Sequence, residues 1–324
     1  MPFSSIFGHE DILKRLQVAF ASDHIPSAYL FTGPEGIGKG VTAKTLAQML
    51  NCTTHNNCGF CDSCRMFLSD SHPDFIIVRP DGKNIKISQI KALIQNLSLK
   101  PTYAKKRVVV IKQANQFNLE SANAFLKVLE EPPLDTLLVL TASDESQLID
   151  TLLSRCQKMS FAPLTAIQVE AILKKDFTLE DDCHGLILDY CEGRLRSDFI
   201  DKASKLLSLR GQALHMLQDM RVENLETFTI QIKSALDQNL EFYLLEFLGH
   251  LLKDIRLYQE GMEQYISNQD LLTEIKDLSP RFSHIGLEEA FSACLETEKG
   301  LATFAAKPLA LEALIVQIKN SLAR

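Results

Sequence analysis

Residues 33–42, GPEGIGKGVT, have spacing suited to chemistry on a phosphate. Gly33, Gly38 and Lys39 fit the pattern G-x-x-x-x-G-K-[ST]. In that pattern, backbone N–H groups converge on phosphate oxygens at a helix N-terminus, and the lysine neutralises the outer phosphates. The next position calls for Ser or Thr, whose hydroxyl helps hold the magnesium ion of a nucleoside triphosphate. Here that residue is Gly40. The rest of such a site belongs at the end of a neighbouring apolar strand. An Asp there helps hold the metal, and an adjacent Glu orients the attacking water. The candidate strand, RVVVIK (107–112), ends in Lys112 and is followed by Gln113. A protonated lysine repels magnesium, and an amide cannot act as a carboxylate base. Two parts of one metal site are therefore altered, so neither a magnesium site nor ATP hydrolysis by the usual mechanism is expected. Two rescues remain open. Glu130 or Glu131 could supply a carboxylate, or Lys112 could replace the metal and allow nucleotide binding without turnover.

Four of the eight cysteines, Cys52, Cys58, Cys61 and Cys64, have the spacing C-x5-C-x2-C-x2-C. Four thiolates at this density can form a closed tetrahedral zinc site, which is structural rather than catalytic. Short polar and glycine turns between them suit wrapping around an ion. His55 is an alternative ligand, and unliganded thiols or an iron–sulfur cluster are the competing readings. Clustered cysteines in a reducing compartment point to metal rather than disulfides.

The chain has 324 residues and a formal net charge of −7. No apolar run nears the roughly 18 residues of a membrane span, and the N-terminus lacks a signal-peptide pattern. A cytoplasmic location is expected, with no membrane partner. Charge is uneven: residues 210–324 carry 11 Lys+Arg against 17 Asp+Glu. Residues 79–107 hold eight basic residues and one acid, Asp81. That stretch reads either as a nucleic-acid footprint or as a solvated helix face with basic flanks.

The elements that must position these residues follow from periodicity. Apolar strands are predicted at 27–33, 74–78, 107–112, 136–142 and 157–162, with helices at 41–50, 87–99, 119–131 and 146–156 between them. Continuously apolar strands alternating with helices indicate a parallel sheet covered on both faces. After Pro163 only helical patterns follow, including 165–176, 184–193, 195–209 and 308–322. Three domains are expected: an α/β domain at 1–162 with the cysteine module at about 50–66, a small helical domain at 163–208 and an all-α domain at 209–324.

With these residues in view, the chain resembles the clamp-loader branch of the AAA+ ATPases. FGHEDILKRLQVAFASDHIPSAYLFTGPEGIGKG (7–40) is similar to that family's opening segment, and the cysteine insert to the zinc module of its bacterial subunits. SANAFLKVLEEPP (121–133) resembles a family signature. SRC (154–156) matches the motif whose arginine, here Arg155, reaches a neighbouring subunit's ATP site. EGRLRSDF (192–199) is similar to the lid segment that carries a nucleotide-contacting arginine, here Arg196. The resemblance implies an AAA+ motor domain, a helical lid and a C-terminal collar that joins gamma/tau and delta subunits. It also implies primer–template DNA held through phosphates, indirect work on the sliding clamp and a structural zinc ion. Some of Lys83, Lys86, Lys91, Lys100, Lys105 and Lys106 would line the DNA path. The altered metal site matches the family's non-hydrolysing type of subunit. It leaves open whether Gly33, Gly38, Lys39 and Arg196 still hold ATP, and an autonomous ATPase with an atypical metal site is the alternative. A third reading is a zinc-dependent nucleic-acid-binding module on a relic ATPase fold, which the acidic net charge disfavours.

Overall fold

The computed structural model describes residues 3, 6–22, 24–220, 225–301 and 306–322. Contacts divide the chain into two compact units. One comprises Met1–Thr178 and Cys191–Ser197, the other Leu179–Tyr190 and Asp198–Arg324, so the stretch 163–208 contributes to both.

The first unit runs α1 (Glu10–Ala21), β1 (Ala28–Thr32), α2 (Lys39–Asn51), α3 (Asp62–Leu68), β2 (Phe75–Val78), α4 (Ile87–Leu97), β3 (Arg107–Ile111), α5 (Leu119–Glu130), β4 (Thr136–Ala142), α6 (Asp150–Leu153), β5 (Gln157–Ser160) and α7 (Ala166–Asp176). The five strands form one parallel sheet in the order β2-β3-β4-β1-β5. β1, β3 and β4 are buried along their whole length, as strands covered on both faces must be. Alternate side chains separate into two cores. Tyr29, Phe31, Val108, Val110, Leu137 and Val139 pack with residues of α1 and α2. Leu30, Val109, Ile111, Leu138 and Leu140 pack with residues of α4 and α5.

Local signals set the helix ends. Asn118 caps α5, its Oδ1 accepting from Ser121 N–H at 2.8 Å, and Pro132 and Pro133 follow where the helix stops. The helix expected over 146–156 is shorter. It reduces to α6, because Leu148 and Ile149 adopt extended backbone after a 3-10 turn capped by Asp144, which accepts from Ser146 N–H at 2.9 Å. α2 and α3 lie on either side of the cysteine cluster.

Charge at the N-terminal edge of β3 is fixed by a buried pair. Arg107 donates to the carbonyls of Asn96, Leu99 and Lys100 at 2.9–3.0 Å and meets Asp74 Oδ1 at 3.4 Å. Asp74 accepts from the N–H groups of Thr102, Tyr103 and Ala104 at 2.7–2.9 Å. These two side chains shape the loop 98–106. Burial works against ionisation of Asp74, but the three amides and Arg107 outweigh it and hold the carboxyl below the usual range. Arg107 therefore belongs to the core and not to a surface basic field.

The second unit is helical throughout: α8 (Asp181–Tyr190), α9 (Ser197–Asp201), α10 (Ala203–Asp219), α11 (Leu225–Asp237), α12 (Glu241–Gln259), α13 (Leu272–Leu278), α14 (His284–Leu301) and α15 (Lys307–Asn320). The helix expected over 195–209 breaks at Lys202, which separates α9 from α10. Its core is laced by polar groups. Asp254, fully buried, accepts from Ser267 N–H, Asn268 N–H and Asn268 Nδ2 at 2.7–3.0 Å. Asn268 Oδ1 in turn accepts from Tyr190 and Arg210 at 2.8 and 3.1 Å. No helix among the described residues is long and apolar enough to cross a membrane.

Removing Asp74 would leave the Arg107 charge buried without its counterion. Asp74→Ala should cost about 3–5 kcal/mol in urea unfolding. Because the folded-state pKa of Asp74 is depressed, its contribution is present above about pH 4 and is lost as pH falls through the folded value. A loss below about 1 kcal/mol at pH 7 would mean that the pair is dispensable.

Candidate functional site

Because every strand runs the same way, the sheet has two unlike edges. The phosphate loop follows β1 at the C-terminal edge. Gly33, Gly36 and Gly38 all have positive φ, at 130°, 78° and 99°. A side chain on Gly33 would strike Phe161 O at 2.3 Å, and one on Gly36 would strike Leu195 O at 2.7 Å. Lys39 opens α2 and is buried. Its Nζ donates to Gly33 O and, at 2.5 Å, to Pro34 O. Burial pulls its pKa down to about 8 against the opposing charge of Glu35. The segment carrying Arg196 lies against the loop, with Leu195 N–H donating to Gly36 O at 2.9 Å.

Lys112 follows β3 on this same edge. Its Cε and Nζ lie 3.8 Å from the point where a Cβ on Gly40 would be. The ammonium therefore lies beside the place where a side chain on residue 40 would begin. Burial and the charge of Arg79 lower the pKa of Lys112, while Glu35 raises it. Gln113, in left-handed backbone, donates through Nε2 to Glu35 Oε1. The loop's own acid is thus held between positions that elsewhere would carry the metal carboxylates.

Arg155 lies at the opposite edge, between α6 and β5. Gln157 is in register with Tyr29, and Ser160 with Thr32. Gln157, the first residue of β5, is therefore about 13 Å down the strands from the level of Gly33, and Arg155 lies in the turn before it. Its Nη1 donates to Thr151 O at 3.0 Å and to Ser154 Oγ at 3.3 Å. Its Nη2 meets Glu130 Oε1 at 2.8 Å. Glu130, at the end of α5, shares this edge, so neither it nor the neighbouring Glu131 can serve as a carboxylate for the phosphate loop. The contact of Glu130 with Arg155 was not visible in the sequence, where the two lie 25 positions apart.

The four cysteines converge. The Sγ atoms of Cys52, Cys58, Cys61 and Cys64 all lie within 4.8 Å of one another. A tetrahedral zinc–thiolate site needs sulfurs about 3.8 Å apart. Cys52 follows the end of α2 and Cys61 caps α3. Backbone N–H groups of Cys58, Cys61 and Cys64 point at the sulfurs of Cys52, Cys58 and Cys61 at 3.4–3.5 Å. Such donors stabilise thiolates. Burial raises the Cys64 thiol to about 12, so a full set of four thiolates calls for a cation at the centre. His55 turns away: its Nδ1 is 3.2 Å from Met49 O and its ring packs edge-on against Phe20.

The basic stretch does not form one surface. Lys83 and Lys86 follow β2 at the phosphate-loop edge, and Lys86 pairs with Asp81 at 2.5 Å. Lys100, Lys105 and Lys106 precede β3 at the other edge, where Asn51 bonds to both the N–H and the C=O of Lys106. Lys91 is exposed on α4.

The chain's relatives fit this geometry. A family model described as "DNA polymerase III, delta subunit" matches residues 8–165, and one described as "DNA polymerase III, delta subunit, C terminal" matches residues 205–320. The chain is 29% identical over 305 residues to DNA polymerase III subunit delta' of Bacillus subtilis, covering 90% of each. It is 31% identical over 220 residues to subunit tau of Escherichia coli, covering 65% of this chain but 33% of tau. In fold it is similar to a DNA polymerase III gamma subunit-related protein of Thermotoga maritima, with a TM-score of 0.51, 17% identity and coverage of 94% of this chain and 99% of that one. The two models account for most of the sequence between them, and the chain belongs to the DNA polymerase III delta-subunit family, the clamp-loader proteins of DNA replication.

Proposed function

We propose that this chain is the non-hydrolysing, delta-prime type of clamp-loader subunit, which positions its neighbours and supplies Arg155 in trans to an adjacent ATPase site. The observation that carries this reading is the placement of Arg155 on the sheet edge opposite the chain's own phosphate loop. An arginine side chain does not span that distance, which supports an ATP held by another subunit as its target. A guanidinium at the γ-phosphate stabilises transition-state charge and is typically worth about 10³–10⁵ in rate.

The Lys112 ammonium beside Gly40 supports the second half of the reading. It leaves no favourable place for magnesium, and Lys39 is satisfied by loop carbonyls. In this reading the fold of an ATPase is kept to hold Arg155 and the lid, and the helical region 209–324 acts as the collar toward gamma/tau and delta subunits. DNA phosphates would be met by some of Lys83, Lys86, Lys91, Lys100, Lys105 and Lys106, which the fold distributes from one edge of the sheet along α4 to the other.

We also propose that the four cysteines hold one zinc ion in a structural role. Its chemistry would be charge neutralisation of four thiolates, tying the end of α2 to the start of α3.

Two outcomes test these readings. In a reconstituted clamp loader with clamp and primed DNA, Arg155→Ala in this chain should leave assembly intact and reduce steady-state ATP turnover by at least about tenfold. Unchanged turnover by an intact complex would refute the role in trans. The purified chain should carry one zinc by elemental analysis, and the zinc-free protein should melt several degrees lower, at about 2–4 °C per kcal/mol lost. Equal melting temperatures would refute the structural metal.

A further inference from the structure

Glu130 is not where helix energetics would put a carboxylate. It closes α5 beside Glu131, at the end where unsatisfied carbonyls make the helix negative. Its partner lies on another element, across the α6–β5 junction. Arg155 and Glu130 are 34% and 50% exposed, so solvent screens their pairing and little fold stability comes from it. The pair therefore needs another reason.

The geometry around the guanidinium supplies one. Of the five N–H donors of an arginine, three are engaged by Thr151 O, Ser154 Oγ and Glu130 Oε1. The other two, Nε–H among them, find no acceptor among the described residues. The contacts come from two sides, the α6 turn and the end of α5. They hold one orientation of a side chain that otherwise has several rotatable bonds. α6 is only four residues long and cannot fix the arginine by itself.

We propose that Glu130 is a positioning residue for Arg155. It holds the guanidinium in place before the neighbouring subunit's ATP arrives and leaves two donors free for the triphosphate. Because the ordering is done in advance, the transition state does not bear it. This inference rests on the reading of Arg155 as acting in trans.

The test is steady-state ATP hydrolysis by the reconstituted complex, with clamp and primed DNA, carrying wild-type chain, Glu130→Ala, Glu130→Gln, Arg155→Ala or the double variant Glu130→Ala/Arg155→Ala. Glu130→Ala should lower kcat about 3- to 30-fold with KM for ATP unchanged within about twofold, as expected for lost orientation. Glu130→Gln keeps an acceptor oxygen and should recover part of the loss. In the Arg155→Ala background, Glu130→Ala should have no further effect, because the group it orients is gone. Wild-type kcat for Glu130→Ala while Arg155→Ala is impaired would overturn the positioning role. So would an equal further loss in the Arg155→Ala background. If Arg155→Ala itself leaves turnover unchanged, the role in trans fails first, and that result is distinct from the other two.

Discussion

The common polarity of five parallel strands is the constraint on which the rest of this molecule depends. Everything that leaves a strand faces one edge of the sheet, and everything that enters faces the other. The register of β1 with β4 and β5 ties Thr32 to Ala142 and Ser160, so the phosphate loop, Lys112 and Gln113 gather on the leaving edge. Arg155, Glu130, the loop 98–106 and the end of α2 gather on the entering edge. The two groups cannot meet within one chain. In the proposed reading they meet between subunits that stand side by side.

The leaving edge keeps the shape of a phosphate loop. Glycines with positive φ still form the loop, because Phe161 and Leu195 approach too closely for side chains. Electrostatics has changed around it. Lys39 and Lys112 both have depressed pKa values from burial, and Glu35 is their nearby negative charge. The acid is engaged by Gln113, and the lysine by loop carbonyls.

Much of this was legible in the sequence, for reasons that can be stated residue by residue. The β-branched run at 107–111 could only be a buried strand, and the spacing of Cys52, Cys58, Cys61 and Cys64 brought four sulfurs together as expected. Gly40, Lys112 and Gln113 were readable together because parallel strands send the loops that leave them to one edge, although β4 lies between β1 and β3. Other features depended on distant partners. Arg107 looked like one more cation in a basic stretch, and only the fold reveals Asp74 opposite it. The lysines at 83–106 looked contiguous, yet α4 lies between them and carries them to opposite edges. Glu130 could be seen only as a spare carboxylate, since its meeting with Arg155 follows from the packing of α5 and α6. The short α6 was overestimated because apolar periodicity continues through Leu148 and Ile149, where the backbone becomes extended.

The central claim is that this chain lends an arginine outward while its own phosphate loop stays silent. Multiple-turnover ATP hydrolysis by the isolated chain in magnesium, beside Lys39→Ala, tests the silent half without help from any partner. The account predicts phosphate release at the level of a protein-free blank for both proteins. Release by the wild-type chain that Lys39→Ala abolishes would contradict it, because the loop would then be working despite Gly40 and Lys112.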